Sequence, residues 1–416
     1  MSFETISVIG LGYIGLPTAA MFASRRKKVI GVDVNQHAVD TINRGEIHIV
    51  EPDLDIIVRS AVTAGYLKAV ATPEPADAFL IAVPTPFKKN GSEIPEPDLC
   101  YIEAAAKSIA YVLKKGDLVI LESTSPVGAT EQLAQWLSEF RADLTFPQTH
   151  GENADINVAH CPERVLPGHV VRELVQNDRV IGGMSSKCSE KAIELYKTFV
   201  EGECVVTNAR TAEMAKLTEN SCRDVQIAFA NELSIICDKL DINVWELISL
   251  ANRHPRINIL QPGPGVGGHC IAVDPWFIVS KTPHEAKIIH TARQVNDAKP
   301  DWVIDKVKIA ISDFLQANPS KQIEDVTIAC FGLAFKANID DLRESPAMQI
   351  TRKLAELHSG EVYAIEPNIS EIENEKFILC DEIRPFDISV LLVEHKEFTN
   401  MKKPENGFVI DTKGIW

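Results

Sequence analysis

Residues 5–24 read TISVIGLGYIGLPTAAMFAS, and this stretch decides the fold of the amino-terminal part of the chain. Its apolar run, Thr5–Ile9, predicts a strand, and its alanine-rich run, Leu16–Ser24, predicts a helix. A GxGxxG turn, Gly10–Gly15, stands between the two. A strand, such a turn and a helix in this order are typical of a dinucleotide-binding βαβ unit, although glycine clusters also close ordinary turns.

Each glycine of this turn has its own physical reason. Gly10 allows the tight turn, Gly12 lets the backbone approach a pyrophosphate, and Gly15 lets helix and strand pack closely. The next predicted strand, Lys28–Val32, is followed by Asp33, at the separation expected for a ribose-binding acid. A carboxylate there accepts hydrogen bonds from a 2′-hydroxyl and repels a 2′-phosphate, so we expect NAD rather than NADP as the cofactor.

Strand-like and helical patterns alternate in the first half of the chain and again near its end, which predicts parallel, doubly wound sheets. Between these blocks the pattern is wholly helical over Thr211–Ala251, and a loop rich in proline and glycine, Pro255–Gly268, precedes more helix to about Gln316. The further predicted strands are Ala78–Ala82, Leu118–Glu122, Arg179–Ile181, Val326–Phe331, Glu361–Ile365, Ser389–Val393 and Phe408–Asp411.

The size and the charge of the chain limit its class. At 416 residues it is too long for one ordinary core, so we expect two or three domains. The formal net charge of -16 argues against a nucleic acid or an anionic membrane as a partner. We expect neither a signal peptide nor a membrane-spanning run. The nine scattered cysteines without a CxxC pair favour a reducing cytoplasm, with no disulfide framework and no metal site.

Three segments combine residue types that carry chemistry. The first is the glycine-rich loop ending in Cys270, which could attack a carbonyl as a thiolate; a buried structural cysteine is the alternative. The second is a predicted helix on which Lys216 and Asn220 share one face and could stabilise an alkoxide; a solvent-exposed lysine is the alternative. The third is Leu121–Gly128, at the carboxyl end of a predicted strand, where α/β sheets bind ligands.

Seven motifs in one order make the chain resemble the UDP-glucose/GDP-mannose dehydrogenase family along essentially its whole length. They are GLGYIGLP, VPTP at Val83–Pro86, ESTSPVG, CPER at Cys161–Arg164, AEMAKLTEN, GPGVGGHC with Asp274 four residues after its cysteine, and GLAFKANIDDLRESPA at Gly332–Ala347. The resemblance implies an α/β fold in which a long central helical segment joins two doubly wound, Rossmann-like domains of dinucleotide-binding type. It also implies a homodimer or a higher homo-oligomer.

The resemblance implies three domains with distinct tasks. They are an NAD-binding Rossmann domain at residues 1–205, a central helical and dimerisation segment with the cysteine loop at 206–300, and a UDP-sugar-binding α/β domain at 301–416. The implied reaction is an NAD-linked, four-electron oxidation of the C6 alcohol of a UDP-sugar to a carboxylate.

The catalytic residues follow from the same resemblance. Cys270 matches the family nucleophile, which forms a thiohemiacetal and then a thioester, and Lys216 matches the catalytic lysine. The other matching positions are Asn220 and Asp274 around the reacting oxygen and water, and Glu163 and Thr124 as water-ordering residues. The base of the first step stays open between Lys216 itself and a water that it shares with Asp274.

The binding residues are also expectations from the resemblance. The expected cofactor contacts are Gly10, Gly12, Tyr13, Ile14, Gly15, Asp33, Thr85, Thr124 and Arg343. The expected substrate contacts are Lys216, Asn220, Phe335 and Lys336, with Arg164, Val165, Arg223, His254, Arg256, Gly267 and Lys413 as further candidates. For the charged side chains among the further candidates, a surface ion pair is the alternative.

The run GGHCIAVDPW around Cys270 departs from the pattern of the UDP-glucose enzymes, which have a lysine after the cysteine. Together with NRHPR before it and DTKG near the end, it resembles the branch of the family that oxidises 2-acetamido sugar nucleotides. That branch serves bacterial surface polysaccharide synthesis of the enterobacterial common antigen type. The resemblance implies UDP-N-acetyl-D-mannosamine as the substrate, with UDP-N-acetylglucosamine and UDP-glucose as alternatives.

Two readings from other classes compete with this one. A one-step hydroxy-acid dehydrogenase of the 6-phosphogluconate type would share the first domain and the helical middle, would need no cysteine nucleophile, and would make one NADH per substrate. An NAD-sensing binding protein would keep the fold with a degraded site. The presence of Cys270, Lys216, Asn220 and Asp274 counts against the second of these.

Overall fold

The chain folds into two units, which a computed structural model describes over residues 3–49, 51–89, 91–165, 168–268, 270–382 and 384–416. The first unit comprises Met1–Thr218 and Trp276–Lys281. The second comprises Glu219–Pro275 and Thr282–Trp416.

The first unit is built on one sheet with helices between its strands. The strands are β1 (Thr5–Ile9), β2 (Lys28–Val32), β3 (Leu67–Val70), β4 (Ala78–Ile81), β5 (Leu118–Leu121), β6 (Asn157–His160), β7 (Arg179–Gly183) and β8 (Cys204–Asn208). The helices are α1 (Gly15–Ser24), α2 (Gln36–Asn43), α3 (Leu54–Thr63), α4 (Cys100–Ala110), α5 (Ala129–Phe140), α6 (Pro147–His150), α7 (Val170–Gln176) and α8 (Ser186–Tyr196). Over the described residues the sheet order is β3-β2-β1-β4-β5-β6-β7-β8, parallel except between β6 and β7.

Strand β1 shows why helices cover both faces of this sheet. Its side chains alternate between two apolar cores, because successive residues of a strand point to opposite faces. Ile6 and Val8 belong to the core that contains Leu16 of α1. Ile9 belongs to the core on the other face, which contains Ile109 of α4. A strand buried on both faces leaves only its ends for polar chemistry.

The helical middle of the chain differs from the prediction in one place. The structure has α9 (Ala209–Lys239), α10 (Val244–Ala251), α11 (Asp274–Lys281) and α12 (Lys287–Ala317). The expected continuous helix over Thr211–Ala251 is wrong, because the chain breaks between α9 and α10. Asp241 has a left-handed φ of 55°, and the side chain of Asn243 accepts hydrogen bonds from Trp245 N and Glu246 N, so a new helix begins there.

The second unit repeats the architecture of the first on a smaller scale. Its strands are β9 (Ile328–Phe331), β10 (Val362–Ile365), β11 (Ile378–Leu379), β12 (Ile388–Leu391) and β13 (Phe408–Asp411), with helices α13 (Pro346–Leu357) and α14 (Lys396–Thr399). The sheet order, β11-β10-β9-β12-β13, corresponds to that of the first five strands of the larger sheet, and all pairs are parallel. The predicted fold class, α/β with two Rossmann-like sheets and a long central helical segment, is confirmed.

Both units place an acid after their second strand. In the first unit Asp33 follows β2, and its Oδ2 accepts a hydrogen bond from Leu11 N at 2.8 Å. In the second unit Glu366 follows β10, and its Oε2 accepts from Leu333 N at 2.7 Å and lies 3.0 Å from Nε2 of His395. In each case the carboxylate holds the loop that leaves the first strand of its own sheet.

The surroundings of Glu366 make it more acidic than an ordinary glutamate. Burial raises its pKa, but hydrogen bonds from His395 and from backbone N–H groups outweigh the burial and lower the pKa from 4.5 to about 2. A carboxylate with a lowered pKa stabilises the fold above its unfolded-state pKa. That stability is lost as the pH falls through the folded-state pKa, here between 4.5 and about 2.

Glu366→Gln therefore tests this carboxylate as an acid-sensitive element of the fold. We expect the variant to be less stable than the wild type at pH 7, and its stability to fall less steeply between pH 4.5 and about pH 2. Urea unfolding as a function of pH measures both effects, and the exposed Glu371→Gln serves as the matched control. Parallel wild-type and Glu366→Gln curves would contradict the assignment.

Candidate active site

The glycine turn after β1 has the close contacts and the open space that a dinucleotide requires. A Cβ on Gly10 would lie 2.5 Å from the Ala82 carbonyl oxygen, and one on Gly15 would lie 1.8 Å from the Gly10 carbonyl oxygen. Both positions are therefore closed to any side chain. A Cβ on Gly12 would meet no described atom within 4 Å, so this glycine faces open space where a pyrophosphate can approach the backbone.

The polar groups around this turn also fit NAD. Ile14 precedes α1 and makes no side-chain capping bond, so the positive end of the helix is available to a phosphate. Among the described residues, the buried hydroxyls of Thr85 and Ser125 have no hydrogen-bond partner, and buried orphans of this kind indicate a missing ligand or water. Tyr13 is exposed beside the turn and Thr124 is half-buried. These residues would hold NAD, which supplies a hydride acceptor.

The second unit brings three of the expected catalytic residues together. The side-chain amide of Asn220, on α9, donates to Oδ2 of Asp274 at 2.5 Å. Asp274 is buried at the first turn of α11, and its N–H donates to the Cys270 carbonyl oxygen at 2.8 Å. Cys270 itself is half-exposed. The backbone contact fixes the turn that carries Cys270, and a partly exposed thiol can reach a substrate as a nucleophile. His269, which precedes the thiol in the motif, lies outside the described residues.

The glycine-rich loop is fixed by a buried hydrogen-bond chain that the sequence does not reveal. Asn231 of α9 accepts from Gly263 N at 2.9 Å and donates to Asn296 of α12 at 2.9 Å. Asn296 in turn donates to Asp224, which pairs with Arg293 at 2.7 Å. These side chains are all buried, so polar contacts as well as apolar packing hold the loop that leads to the thiol.

Other glycines of this loop have a different reason from the expected one. A Cβ on Gly267 would lie 2.7 Å from both the Glu344 carbonyl oxygen and Cβ of Phe335, and Gly268 N donates to the Arg343 carbonyl oxygen at 3.2 Å. The loop therefore needs glycine to pack against the chain's own 332–347 segment. Gly267 and Phe335 therefore lie next to each other.

The remaining expected binding residues lie in varied surroundings. Lys413 Nζ is 3.6 Å from the Cβ position of Gly263 and 3.4 Å from Glu394. Arg343 pairs with Asp341 at 2.6 Å. The exposed members of the set are Arg223, His254, Arg256 and Lys336, while Lys216, Arg164 and Val165 are half-buried.

A cavity of about 470 Å³ in the second unit borders this loop. Its lining includes Pro262 and Gly263, together with Trp245, Lys299 and Trp302, which sequence reasoning did not single out. The amine of Lys299 lies 3.7 Å from the Trp302 ring centroid. Burial lowers the pKa of Lys299 to about 7, so this amine is partly neutral at physiological pH.

In the first unit Glu163 is held from two sides. Its Oε1 accepts from Arg164 N at 2.7 Å, and its Oε2 pairs with Arg179 at 2.6 Å. Glu213 of the AEMAKLTEN motif accepts from Gly128 N and Thr130 N and thereby caps the amino terminus of α5. Gly128 ends the ESTSPVG turn and Thr130 lies in the first turn of α5, so Glu213 has a structural role.

Three chemical features hold over the described parts of the chain. All nine cysteines are free thiols. Within the described ranges, histidine, cysteine and carboxylate side chains form no group of three or more that could hold a metal ion. No helix within the described ranges is both long enough and apolar enough to cross a bilayer.

Comparison with known proteins agrees with this geometry. Residues 4–200, 210–298 and 329–416 match the NAD binding, central and UDP binding domains of the UDP-glucose/GDP-mannose dehydrogenase family. The UDP-N-acetyl-D-mannosamine dehydrogenase of Yersinia pestis is 67% identical over 100% of both chains. The NDP-N-acetyl-D-galactosaminuronic acid dehydrogenase of Ralstonia nicotianae is 62% identical over 100% of this chain and 97% of its own length.

A solved structure extends the likeness to the fold. The UDP-D-ManNAc dehydrogenase from Pyrococcus horikoshii superposes with a TM-score of 0.86 at 36% identity, covering 99% of this chain and 96% of its own. Fold and site define an oxidoreductase whose cofactor is NAD. The chain belongs to the UDP-glucose/GDP-mannose dehydrogenase family, and the predicted family and cofactor are confirmed.

The glycine turn allows a matched pair of substitutions. Gly12→Val fills open space, so we expect the fold to keep its stability while NAD binding weakens by about tenfold or more, which corresponds to a loss of about 1.4 kcal/mol. Gly15→Ala forces a clash with the backbone, so we expect a loss of about 1–3 kcal/mol in the free energy of unfolding. Calorimetric NAD titration and thermal unfolding distinguish the two; unchanged NAD affinity in Gly12→Val would contradict the placement of the pyrophosphate.

Proposed function

We propose that the chain catalyses the four-electron oxidation of UDP-N-acetyl-D-mannosamine to the corresponding uronate. The observation that carries the proposal is the contact of Asn220 with Asp274, whose backbone N–H donates to the carbonyl oxygen of Cys270. An alcohol can lose one hydride without a nucleophile, whereas an aldehyde must first gain an oxygen or a sulfur before a second hydride can leave.

The chemistry assigns each residue a task. NAD held by the glycine turn would supply the hydride acceptor, one molecule for each of the two oxidations. The Cys270 thiolate adds to the aldehyde carbon, and oxidation of the resulting thiohemiacetal gives a thioester. Lys216 and Asn220 stabilise the oxyanions, since both are hydrogen-bond donors on one face of α9. Asp274, Glu163 and Thr124 order the water that hydrolyses the thioester.

The choice of sugar is supported by the relatives and by the cysteine loop. The relative at 67% identity acts on UDP-N-acetyl-D-mannosamine by its name, and the one at 62% is named for an N-acetylgalactosaminuronic acid. Both are 2-acetamido sugars, in agreement with the missing lysine after Cys270. We therefore place the substrate in this class and propose the manno epimer, with the galacto epimer as the second candidate.

The wider assignments belong to the same proposal. We propose an NAD-binding domain at residues 1–205, a central segment at 206–300 and a UDP-sugar-binding domain at 301–416, working in the cytoplasm for surface polysaccharide synthesis. The proposed cofactor contacts are those of the glycine turn with Asp33, Thr85, Thr124 and Arg343. The proposed substrate contacts are Arg164, Val165, Lys216, Asn220, Arg223, His254, Arg256, Gly267, Phe335, Lys336 and Lys413.

We also propose that the chain forms a homodimer through α9. Phe229 and Ile236 on this helix, and Leu240 one residue beyond its end, are exposed by 52%, 44% and 62% and recur at helical spacing. Ile242 and Leu250, beyond its end and on α10, are exposed as well. An apolar row on one long helix is self-complementary about a two-fold axis, so a second copy of the chain can cover it.

The proposed reaction predicts a count of NADH. With limiting UDP-N-acetyl-D-mannosamine, the wild type should yield two NADH per substrate at completion, and UDP-N-acetylgalactosamine, UDP-N-acetylglucosamine and UDP-glucose should be inert. Cys270→Ser should yield at most one NADH and no uronate, because the thioester cannot form. Cys100→Ser, at another exposed cysteine, should keep both NADH. One NADH from the wild type would leave a simple alcohol dehydrogenase instead.

Charged substitutions in the exposed apolar row of α9 test the proposed dimer. Phe229→Asp combined with Ile236→Asp should convert a dimer into a monomer, because each protomer would bury two unpaired carboxylates. Light scattering after gel filtration measures the mass. Ile309→Asp, at a residue 55% exposed on α12, is the control and should stay dimeric. A wild type that is monomeric at micromolar concentration would contradict the proposal.

A further inference from the structure

A buried ionic cluster contacts Glu163 in the first unit, and the proposed reaction gives its members no task. It consists of Glu122 at the end of β5, Arg179 at the start of β7 and Tyr196 at the end of α8. All are nearly inaccessible: Glu122 is exposed by 2%, Arg179 by 4% and Tyr196 by 0%. Charged groups at this depth are costly unless they are paired, so their arrangement needs a reason.

One guanidinium in this cluster serves two carboxylates. Arg179 Nη2 lies 2.6 Å from Glu163 Oε2, whereas Nη1 lies 3.4 Å from Glu122 Oε1. The guanidinium carbon lies 4.2 Å from the centroid of the Tyr196 ring, and the Tyr196 hydroxyl donates to Glu122 Oε1 at 2.7 Å. A single positive charge therefore faces two acids, and the geometry favours Glu163 when only one of them is ionised.

Glu122 is the acid that takes up the proton. Burial raises its pKa to about 7, with Arg179 lowering and Glu163 raising it, and the Tyr196 hydroxyl lowering it. Its second oxygen, Oε2, is buried and makes no hydrogen bond to a described residue, so it lacks the donors that would stabilise an anionic carboxylate. The other polar groups that face Glu122 are Thr18 of α1 and the Cys161 thiol.

The protonation state of Glu122 determines whether the Arg179 guanidinium pairs with one carboxylate or with two. Below neutral pH, Glu122 is protonated and Arg179 pairs with Glu163 alone. Above neutral pH, Glu122 is an anion that competes for the guanidinium, so Arg179 holds Glu163 less tightly. A carboxylate that is held less tightly by a cation accepts a proton more readily from a neighbouring water.

We propose that Glu122, Arg179 and Tyr196 position Glu163 and set its readiness to accept a proton when water hydrolyses the thioester, so that this half of the reaction speeds up as Glu122 ionises. The inference rests on the proposed function. In the step, the water oxygen bonds to the thioester carbon and the carbon–sulfur bond breaks. Its electron pair leaves with Cys270 Sγ as a thiolate, and Glu163 receives the water proton.

Single-turnover measurements with UDP-N-acetyl-D-mannosamine and NAD, from pH 5.5 to 8.5, separate this step from the oxidations. Rapid quench and intact-mass spectrometry follow the rise and decay of the covalent adduct on Cys270. In the wild type we expect the decay rate to increase through a midpoint near pH 7, where Glu122 titrates. Glu122→Gln imitates the protonated acid, so its decay should lack this midpoint and should keep at pH 8 the slow rate that the wild type has at pH 5.5.

A second variant keeps the test independent of whether Glu122→Gln folds. Tyr196→Phe removes a donor to Glu122 Oε1 and leaves both ion pairs, so the midpoint should move to higher pH. Tyr111→Phe, at a tyrosine exposed by 79%, is the matched control and should keep the wild-type midpoint. Thermal unfolding of each variant shows loss of stability separately, because a merely structural cluster would lower the melting temperature without moving the midpoint.

Glu163→Gln distinguishes the inference from the function on which it rests. Slow decay of the adduct in Glu163→Gln, with a wild-type pH profile in Glu122→Gln and Tyr196→Phe, would overturn the positioning cluster and leave the proposed reaction standing. A wild-type decay rate in Glu163→Gln would remove Glu163 from hydrolysis and the cluster with it. Two NADH per substrate and an adduct on Cys270 report on the four-electron reaction by themselves.

Discussion

The structure depends on one constraint: its parallel strands are buried on both faces and can carry polar groups only where they end. Strands β1, β4 and β5 are apolar and almost wholly inaccessible, so the sheet interior cannot accommodate a carboxylate or a cation. The glycine turn, the VPTP turn and the ESTSPVG turn all follow strands of this kind. Because parallel strands end on one edge, the candidate cofactor residues of the first unit gather there without any motif that specifies their meeting.

Sequence reasoning succeeded where chemistry and local spacing coincide. The GxGxxG turn and Asp33 are separated by one short helix and one strand, so their relation is fixed by elements that a periodicity can detect. The predicted strands followed from apolar runs, with ends that differ from the observed ones by a residue or two, but these runs did not predict β3, β6, β8 and β11. The prediction of a continuous helix over Thr211–Ala251 was wrong because the helical spacing of apolar residues continues in register across the break. The end of α9 depends on the left-handed backbone of Asp241, which apolar spacing does not show.

The contacts that sequence reasoning missed are long-range and polar. Arg179 and Glu122 come from separate strands, and Asn231 reaches the glycine loop from a different helix. Nothing in a single sequence pairs such residues, since each is an ordinary polar side chain in its own segment. The loop glycines illustrate the same limit: their density indicates close approach, but only the structure shows that Gly267 approaches the protein's own backbone.

The two units share a strand order, but the acids that follow their second strands differ in their surroundings. Asp33 and Glu366 hold equivalent loops, yet Glu366 is fully buried and occupied by His395, whereas Asp33 remains partly accessible. The smaller sheet thus has the same hydrogen bond between acid and loop as a dinucleotide-binding domain. The position where a ribose would bind is filled by His395. Converting it into a second cofactor site would require removing the imidazole rather than adding an acid. The same strand order can therefore occur in domains that bind different ligands.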